Sequence, residues 1–189
     1  MIPTLETERL LMRGWRDDDF DAFAAVYADE ARARHIGGVC SREDASRRMA
    51  AILGHWEMRG YGFWALESKA SGRFVGWTGL WNPEGHPQPE LGWALVAGAE
   101  GQGFACEAAT RARAYAYVGL GWTTLVSLIA LANHASIRVA ERLGARLEST
   151  IPYRGDACGI FRHPPASAFR LVDPTPAEIA AAEKGSSCL

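Results

Sequence analysis

The stretch Glu100-Gly101-Gln102-Gly103-Phe104-Ala105-Cys106-Glu107-Ala108 sets how the rest of the chain is read. Two glycines one residue apart follow an apolar run, Leu91 to Val96, and lead directly into an alanine-rich helical pattern. Glycine lets a backbone turn tightly and approach a ligand with no Cβ in the way. A helix N-terminus adds unpaired N–H groups and the positive end of a dipole, which together suit a phosphate. Strand, glycine turn and helix therefore read as an anion cradle. The plainer alternative is a turn that only links two elements.

Working outward, the chain reads as mixed strand and helix. Thr7-Glu8-Arg9-Leu10-Leu11-Met12-Arg13 suggests a first strand, and Asp17-Asp18-Asp19 supplies the cap and first-turn acids of a helix. Ser41-Arg42-Glu43-Asp44 fits a capping box for a helix to about Arg59, with Ala45, Met49, Ile52, Leu53 and Trp56 as its apolar stripe. Three apolar runs separated by turn residues follow: Gly62–Glu67, Arg73–Trp81 and Glu90–Val96. After the glycine turn come a helix from about Gly103 to Gly119 and an apolar run, Thr124–Leu131, as in a strand covered on both faces. Ala135–Leu143 is a short helix ended by Gly144. Arg146–Ile151 and Gly159–Leu171 are the last strands, the second interrupted by Pro164-Pro165. This gives a domain over 1–172 and a short helical tail over 173–189.

Composition narrows the class. A chain of 189 residues, 48% hydrophobic and 22% charged, is long enough to bury a proper core. The net charge of −2 and the absence of a dense basic run give nucleic-acid binding no electrostatic support. Only Lys69 and Lys184 of the 20 basic residues are lysine, which with the many alanines resembles codon bias. No charged-then-apolar leader opens the chain, and no apolar run is long enough to span a membrane. Cys40, Cys106, Cys158 and Cys188 show no CxxC spacing, so neither a disulfide framework nor a metal site is expected, and the setting reads as cytoplasmic. The five histidines, His35, His55, His86, His134 and His163, show no ligand spacing either.

Rival phosphate motifs fail. A P-loop needs Lys-Ser/Thr after its second glycine, where this chain has Phe104-Ala105. A dinucleotide fingerprint should open the first βα unit, and this turn comes after several antiparallel-looking strands.

The Glu100–Ala105 stretch resembles the pyrophosphate loop of the GCN5-related N-acetyltransferases (GNAT), Gln/Arg-x-x-Gly-x-Gly/Ala. The opening Thr7–Arg13, the strand Glu90-Leu91-Gly92-Trp93, Glu107-Ala108, Asn133-His134-Ala135-Ser136 and Glu141-Arg142-Leu143-Gly144 resemble its RimJ/RimL-like branch, over roughly residues 4 to 170. The resemblance implies an α/β (α+β) fold: a mixed, mostly antiparallel sheet of about seven strands, with helices on both faces. Its fourth and fifth strands, ending here near Val96 and Leu131, would splay into a V opened by a bulge. It implies acetyl-CoA as co-substrate, its pantetheine arm laid along main-chain groups of Trp93, Leu95 and Val96. Amides of Gly101, Gln102, Gly103, Phe104 and Ala105 would hold the pyrophosphate. Glu100 departs from the pattern and puts a carboxylate near phosphate, which is tolerable if the side chain turns away. Cys106 stands where Thr is commoner, as a small packing residue or as a thiol activated by the helix start.

The implied reaction is direct attack of a primary amine on a thioester, the acceptor being an α-amine of a protein or peptide, or a small amine. A lysine-type amine is neutral in only about one molecule in 2,500 at pH 7, and an α-amine in roughly one in six, so the first needs a strong base far more. Glu90 is the candidate base, directly or through a water; the plainer reading is a solvent-facing acid. Ser136 matches the family position that can protonate the leaving sulfur, or simply belongs to a helix first turn. Asn133 fits both a cofactor ligand and a helix cap. Arg142 is a candidate for the ribose 3′-phosphate, or an exposed helix arginine. Tyr153 comes too late in the chain to match the tyrosine that serves many relatives as acid. Trp77 and Trp81 should share one strand face, near an acceptor pocket. A CoA-binding regulatory module without catalysis is the alternative from another class, and a homodimer is left open.

Overall fold

A computed structural model describes residues 1–169. The helix expected beyond Pro174-Thr175-Pro176 and the tail to Leu189 lie outside the described residues. The strands are β1 (Leu5–Glu6), β2 (Leu10–Arg13), β3 (Phe63–Ser68), β4 (Phe74–Trp81), β5 (Glu90–Leu95), β6 (Val126–Ala130), β7 (Arg146–Tyr153) and β8 (Asp156–Arg162). They form one eight-stranded sheet in the order β1-β2-β3-β4-β5-β6-β8-β7. Every neighbouring pair is antiparallel except β5 and β6, which run parallel.

The eighth strand arises because the expected first strand is two. The Thr7 hydroxyl accepts from the Leu10 amide at 3.0 Å, turning the chain so that Leu5 pairs with Met12. At the other end, β8 stops at Arg162, short of Pro164-Pro165, because proline has no amide to give the ladder.

The helices are α1 (Phe20–Ala28, entered through a 3-10 turn over Asp17–Asp19), α2 (Glu30–Ala33), α3 (Arg42–Arg59), α4 (Phe104–Ala114, continued by a π turn over Tyr115–Gly119) and α5 (His134–Arg142). Ser41 caps α3 through the Asp44 amide at 3.1 Å. The box is not reciprocal, since the Asp44 carboxylate accepts from the Ser41 hydroxyl instead. In the expected stripe Leu53 is 42% exposed, and His55 is buried in its stead. Polar partners draw that helix edge inward: His55 Nδ1 lies 2.7 Å from the Tyr61 carbonyl, and the ring stacks on Trp81 at 4.4 Å.

Helices cover both faces. On one, the fully buried Ala108, Ala109 and Ala112 let α4 lie close on Trp64, Leu66, Leu80 and Leu91. Those alanines, which resemble codon bias in the sequence, are therefore packing residues. On the other, Phe23 and Tyr27 of α1 and Ile52 of α3 pack on Trp77. The period of two thus sends Trp64 and Trp77, partners of adjacent registers, to opposite layers. Arg13, buried at the sheet edge, forks onto Asp19 with two bonds of 2.8 Å and reaches Glu67 at 2.7 Å, tying the start of α1 to β2 and β3.

In β4, Gly76 takes φ 144°, and a Cβ there would stand 2.2 Å from the Ala94 carbonyl oxygen. Gly72, at φ 66° in the preceding turn, has open space around it. Gly76→Ala is expected to cost about 2–4 kcal/mol and Gly72→Ala about 1 kcal/mol. Denaturant midpoints of the two variants check this; equal losses would remove the close approach of β4 and β5.

Candidate active site

The parallel pair β5–β6 is in register at one position, Glu90 opposite Val126, closed by the Val126 amide on the Pro89 carbonyl at 3.1 Å. Beyond it β6 pairs with β8, while β5 continues along β4, and a V opens. The expected bulge is not what opens it, because the β4–β5 register runs unbroken from Gly76–Leu95 to Trp81–Glu90. The irregular backbone lies one strand away, at Gly76.

The Ala94 carbonyl faces Gly76. Peptide groups alternate sides along a strand, so those of Trp93 and Leu95 face the V. Val96 differs from this expected set. Its amide donates to the Val75 carbonyl and its carbonyl accepts from Ala99, both at 3.1 Å, leaving only its side chain for a ligand.

The vertex is fastened by side chains. Ser127 Oγ donates to the Leu91 carbonyl at 2.6 Å and lies 2.9 Å from His163 Nε2. With the hydroxyl proton on Leu91, Nε2 carries the ring proton, and Nδ1 is left bare toward Arg113 Nη1 at 3.4 Å. Burial, with the Arg113 charge second, pushes the His163 pKa down to about 3, so the ring is neutral at ordinary pH.

At the glycine turn, Gly101 and Gly103 take φ 74° and 83°, where an L side chain is strained. Open space surrounds the place of a Gly101 Cβ. Gly103 caps α4 without a side-chain bond, and the first helical bond is Glu107 N–H to the Gly103 carbonyl. The amides of Gly101 to Cys106 thus find no partner among the described residues, and they suit an anion. Glu100 turns away from them: it accepts from the Gly98 amide at 2.8 Å and pairs with Arg32 at 2.8 Å.

The loop is latched to the N-terminal hairpin through Glu107. Its Oε1 accepts from the Thr7 hydroxyl at 2.6 Å and the Arg9 amide at 2.8 Å, and its Oε2 from Arg9 Nε at 2.7 Å. Burial is the largest single influence and pushes the Glu107 carboxyl up, but these bonds and the Arg9 charge together outweigh it and hold the carboxyl below its usual range. Arg9 also donates to the Gln102 carbonyl at 2.8 Å and lies over the Phe104 ring.

A cavity of about 720 Å³ adjoins the vertex, lined by Glu90, Trp93, Asn133 and Ser136 as well as Phe63, Trp77 and Trp81. Glu90 is 17% exposed there; His86 Nε2 lies 2.8 Å from its Oε2, and its Oε1 lies 3.4 Å from the Leu128 amide. Despite that distance, His86 Nε2 is a buried nitrogen with no hydrogen bond among the described residues. Its Nδ1 lies 3.3 Å from the Tyr153 hydroxyl.

Comparison with known proteins settles the family. An acetyltransferase (GNAT) domain model matches residues 9–146. The chain belongs to the GNAT acetyltransferases. An acetyltransferase from Agrobacterium tumefaciens str. C58, known from its crystal structure, is 33% identical, with a TM-score of 0.80 over 87% of this chain and 95% of that one. A GNAT-family acetyltransferase from Bordetella pertussis is 30% identical, with a TM-score of 0.73 over 85% of this chain and 99% of that one. RimL, an α-N-protein acetyltransferase of ribosomal L7/L12 solved with coenzyme A, shares the fold at 16% identity and a TM-score of 0.71, over 85% and 97% of the two chains. Membership makes this GNAT protein an acetyl-CoA-dependent acyltransferase.

Of the residues singled out in the sequence, Glu90, Trp93, Asn133 and Ser136 meet at the cavity. Leu95, Val96 and Gly101–Ala105 stand outside its lining, along the outer V and the helix start. Asn133 caps α5 through the Ser136 amide at 3.1 Å. Arg142, in the last turn of α5, is exposed and also outside the lining. His86 and Tyr153 reach the Glu90 carboxylate region without a sequence signal. Their meeting depends on a proline-bracketed loop folding back onto the β7–β8 hairpin, which no spacing announces.

His163 generates a pH test. Its folded pKa lies below the unfolded value near 6.5, so the unfolded chain binds the extra proton between about pH 6.5 and pH 3. Stability attached to this ring is full above pH 6.5 and falls as pH drops through that window, by up to about 1.4 kcal/mol per unit. His163→Gln, which keeps a donor and an acceptor but does not titrate, is expected to flatten that slope in denaturant unfolding at pH 7, 6, 5 and 4. An unchanged slope would place the titration elsewhere.

Proposed function

We propose that this GNAT protein transfers the acetyl group of acetyl-CoA to a primary amine, an α-amine of a protein or peptide or a small amine, by direct attack in a ternary complex of the RimJ/RimL-like kind. The observation that carries the reading is the parting of β5 and β6 after a single pair, with Glu90 at the vertex and unpaired amides at the start of α4. The open V offers the Trp93 and Leu95 peptide groups to the pantetheine arm. The amides of Gly101, Gln102, Gly103, Phe104 and Ala105 hold the diphosphate. The Asn133 amide nitrogen and Arg142 complete the cofactor set, Arg142 toward the 3′-phosphate. The setting is cytoplasmic in this reading.

Bound acetyl-CoA supplies an activated acyl carbon. The amine adds to it, and Glu90 takes the proton that the nitrogen sheds, directly or through a water. The departing thiolate takes a proton from the Ser136 hydroxyl, which regains one from solvent. Trp77, Trp81 and Phe63 wall the acceptor side and exclude water.

Two outcomes are expected. CoA at 100 times its Kd stabilises by about 2.7 kcal/mol, raising Tm by about 5–10 °C in a domain of this size. Thiol release from acetyl-CoA depends on added amine, and Glu90→Gln lowers kcat/KM by about 100-fold for lysine-type amines against less than tenfold for α-amines. Saturable CoA binding with no thiol release from any amine would leave a binding module. Equal losses on both amine classes would remove Glu90 as base.

A further inference from the structure

The cavity carries more positive charge than acetyl transfer to a simple amine needs. Three arginines line it, Arg34, Arg48 and Arg154, against two carboxylates, Glu90 and Asp156. Arg48 is engaged: it donates to the Ile36 carbonyl at 3.3 Å and the Gly37 carbonyl at 2.8 Å, and lies over the Tyr27 ring. Arg34 and Arg154 have no carboxylate within ion-pair distance among the described residues. Beside Arg34, His35 keeps Nδ1 buried and without a partner. These groups lie on α2's end and the β7–β8 turn, whereas the glycine loop is absent from the lining, so the CoA diphosphate does not account for them.

Arg154 is also the one non-glycine residue at positive φ among those described, at 53°. It opens the two-residue turn Arg154-Gly155 between Tyr153 and Asp156, a position where asparagine, aspartate or glycine would sit without strain. An arginine held there against the local preference invites a functional account. Its guanidinium lies 5.1 Å from the centre of the Tyr153 ring, and the hydroxyl of the same tyrosine reaches His86 beside Glu90. The Tyr153 side chain and the His86 ring thus lie between the carboxylate that would deprotonate the amine and a cation with no carboxylate partner.

The geometry points to an acceptor that carries an anionic carboxylate several bonds away from its amine, with Arg154 and Arg34 binding the carboxylate and Glu90 facing the nitrogen. This rests on the transferase reading and names its substrate class. An ω-amino acid or an acidic dipeptide presents that chemistry, and so does a protein N-terminus with an acidic second residue.

The test uses matched acid and amide acceptors with the full chain: 4-aminobutyrate and 4-aminobutyramide, alanyl-glutamate and alanyl-glutamine amide, and hexapeptide amides beginning Ala-Glu or Ala-Gln. Thiol release is expected to show at least a tenfold higher kcat/KM for each acid than for its amide, and the small or peptide arm with the larger ratio identifies the source. Arg154→Asn, which suits the turn, is expected to bring the acids down to the level of the amides through KM, with Tm unchanged or raised; Arg154→Lys restores part of the ratio. Equal kcat/KM for acids and amides in the unsubstituted protein overturns the inference and leaves the transferase standing. A ratio that survives both Arg154→Asn and Arg34→Gln overturns it as well. Thiol release from no amine removes the transferase reading, and this inference with it.

Discussion

The site depends on one constraint: β5 and β6 are allowed to pair once and are then forced apart. Parallel strands would ordinarily continue their ladder, since each unpaired peptide group left buried has a cost. Here the divergence is stabilised from two directions. β4 and β8 satisfy the outer edges of β5 and β6, and Ser127, backed by His163 and Arg113, replaces the missing ladder at the vertex with a side-chain bond to the Leu91 carbonyl. Glu90 does the same for the Leu128 amide on the other strand. Glu90, the proposed base, is thereby part of the joint that creates the gap, so its carboxylate has a fixed place before any substrate arrives.

The second support is electrostatic. The unpaired amides at the start of α4 would face a diphosphate, yet two carboxylates, Glu100 and Glu107, stand within the same few residues. Each is held by its own cation and main-chain donors: Glu100 by Arg32 and the Gly98 amide, Glu107 by Arg9, Thr7 and a second amide. Arg9 also reaches the loop itself, donating to the Gln102 carbonyl and standing 3.3 Å from where a Gly103 Cβ would be. The local field at the helix start therefore keeps its positive sign.

What was legible in the sequence follows from how local its causes are. The glycine turn, the Ser41 and Asn133 caps and the shared strand face of Trp77 and Trp81 each depend on a handful of adjacent residues, and each is present. The family resemblance was legible because its motifs recur in order. The split first strand depended on a single hydroxyl turning the chain at Thr7. His55 entered the core because Tyr61 and Trp81 met it, and His86 and Tyr153 met through loops distant in sequence. Tyr153 lies late in the chain, and the β7–β8 hairpin carries it to the cavity lining. Tertiary meetings of this kind have no period and no spacing.

The latch between Glu107 and the Thr7–Arg9 corner has a practical consequence. The Thr7–Arg9 corner is continuous with the rim formed by the glycine turn, so a bulky group attached at Met1 sits only a few residues from the corner that steadies it. Bulky or strongly acidic fusions at that end would tug on the rim and perturb its charge, and recombinant material is better handled with a cleavable leader.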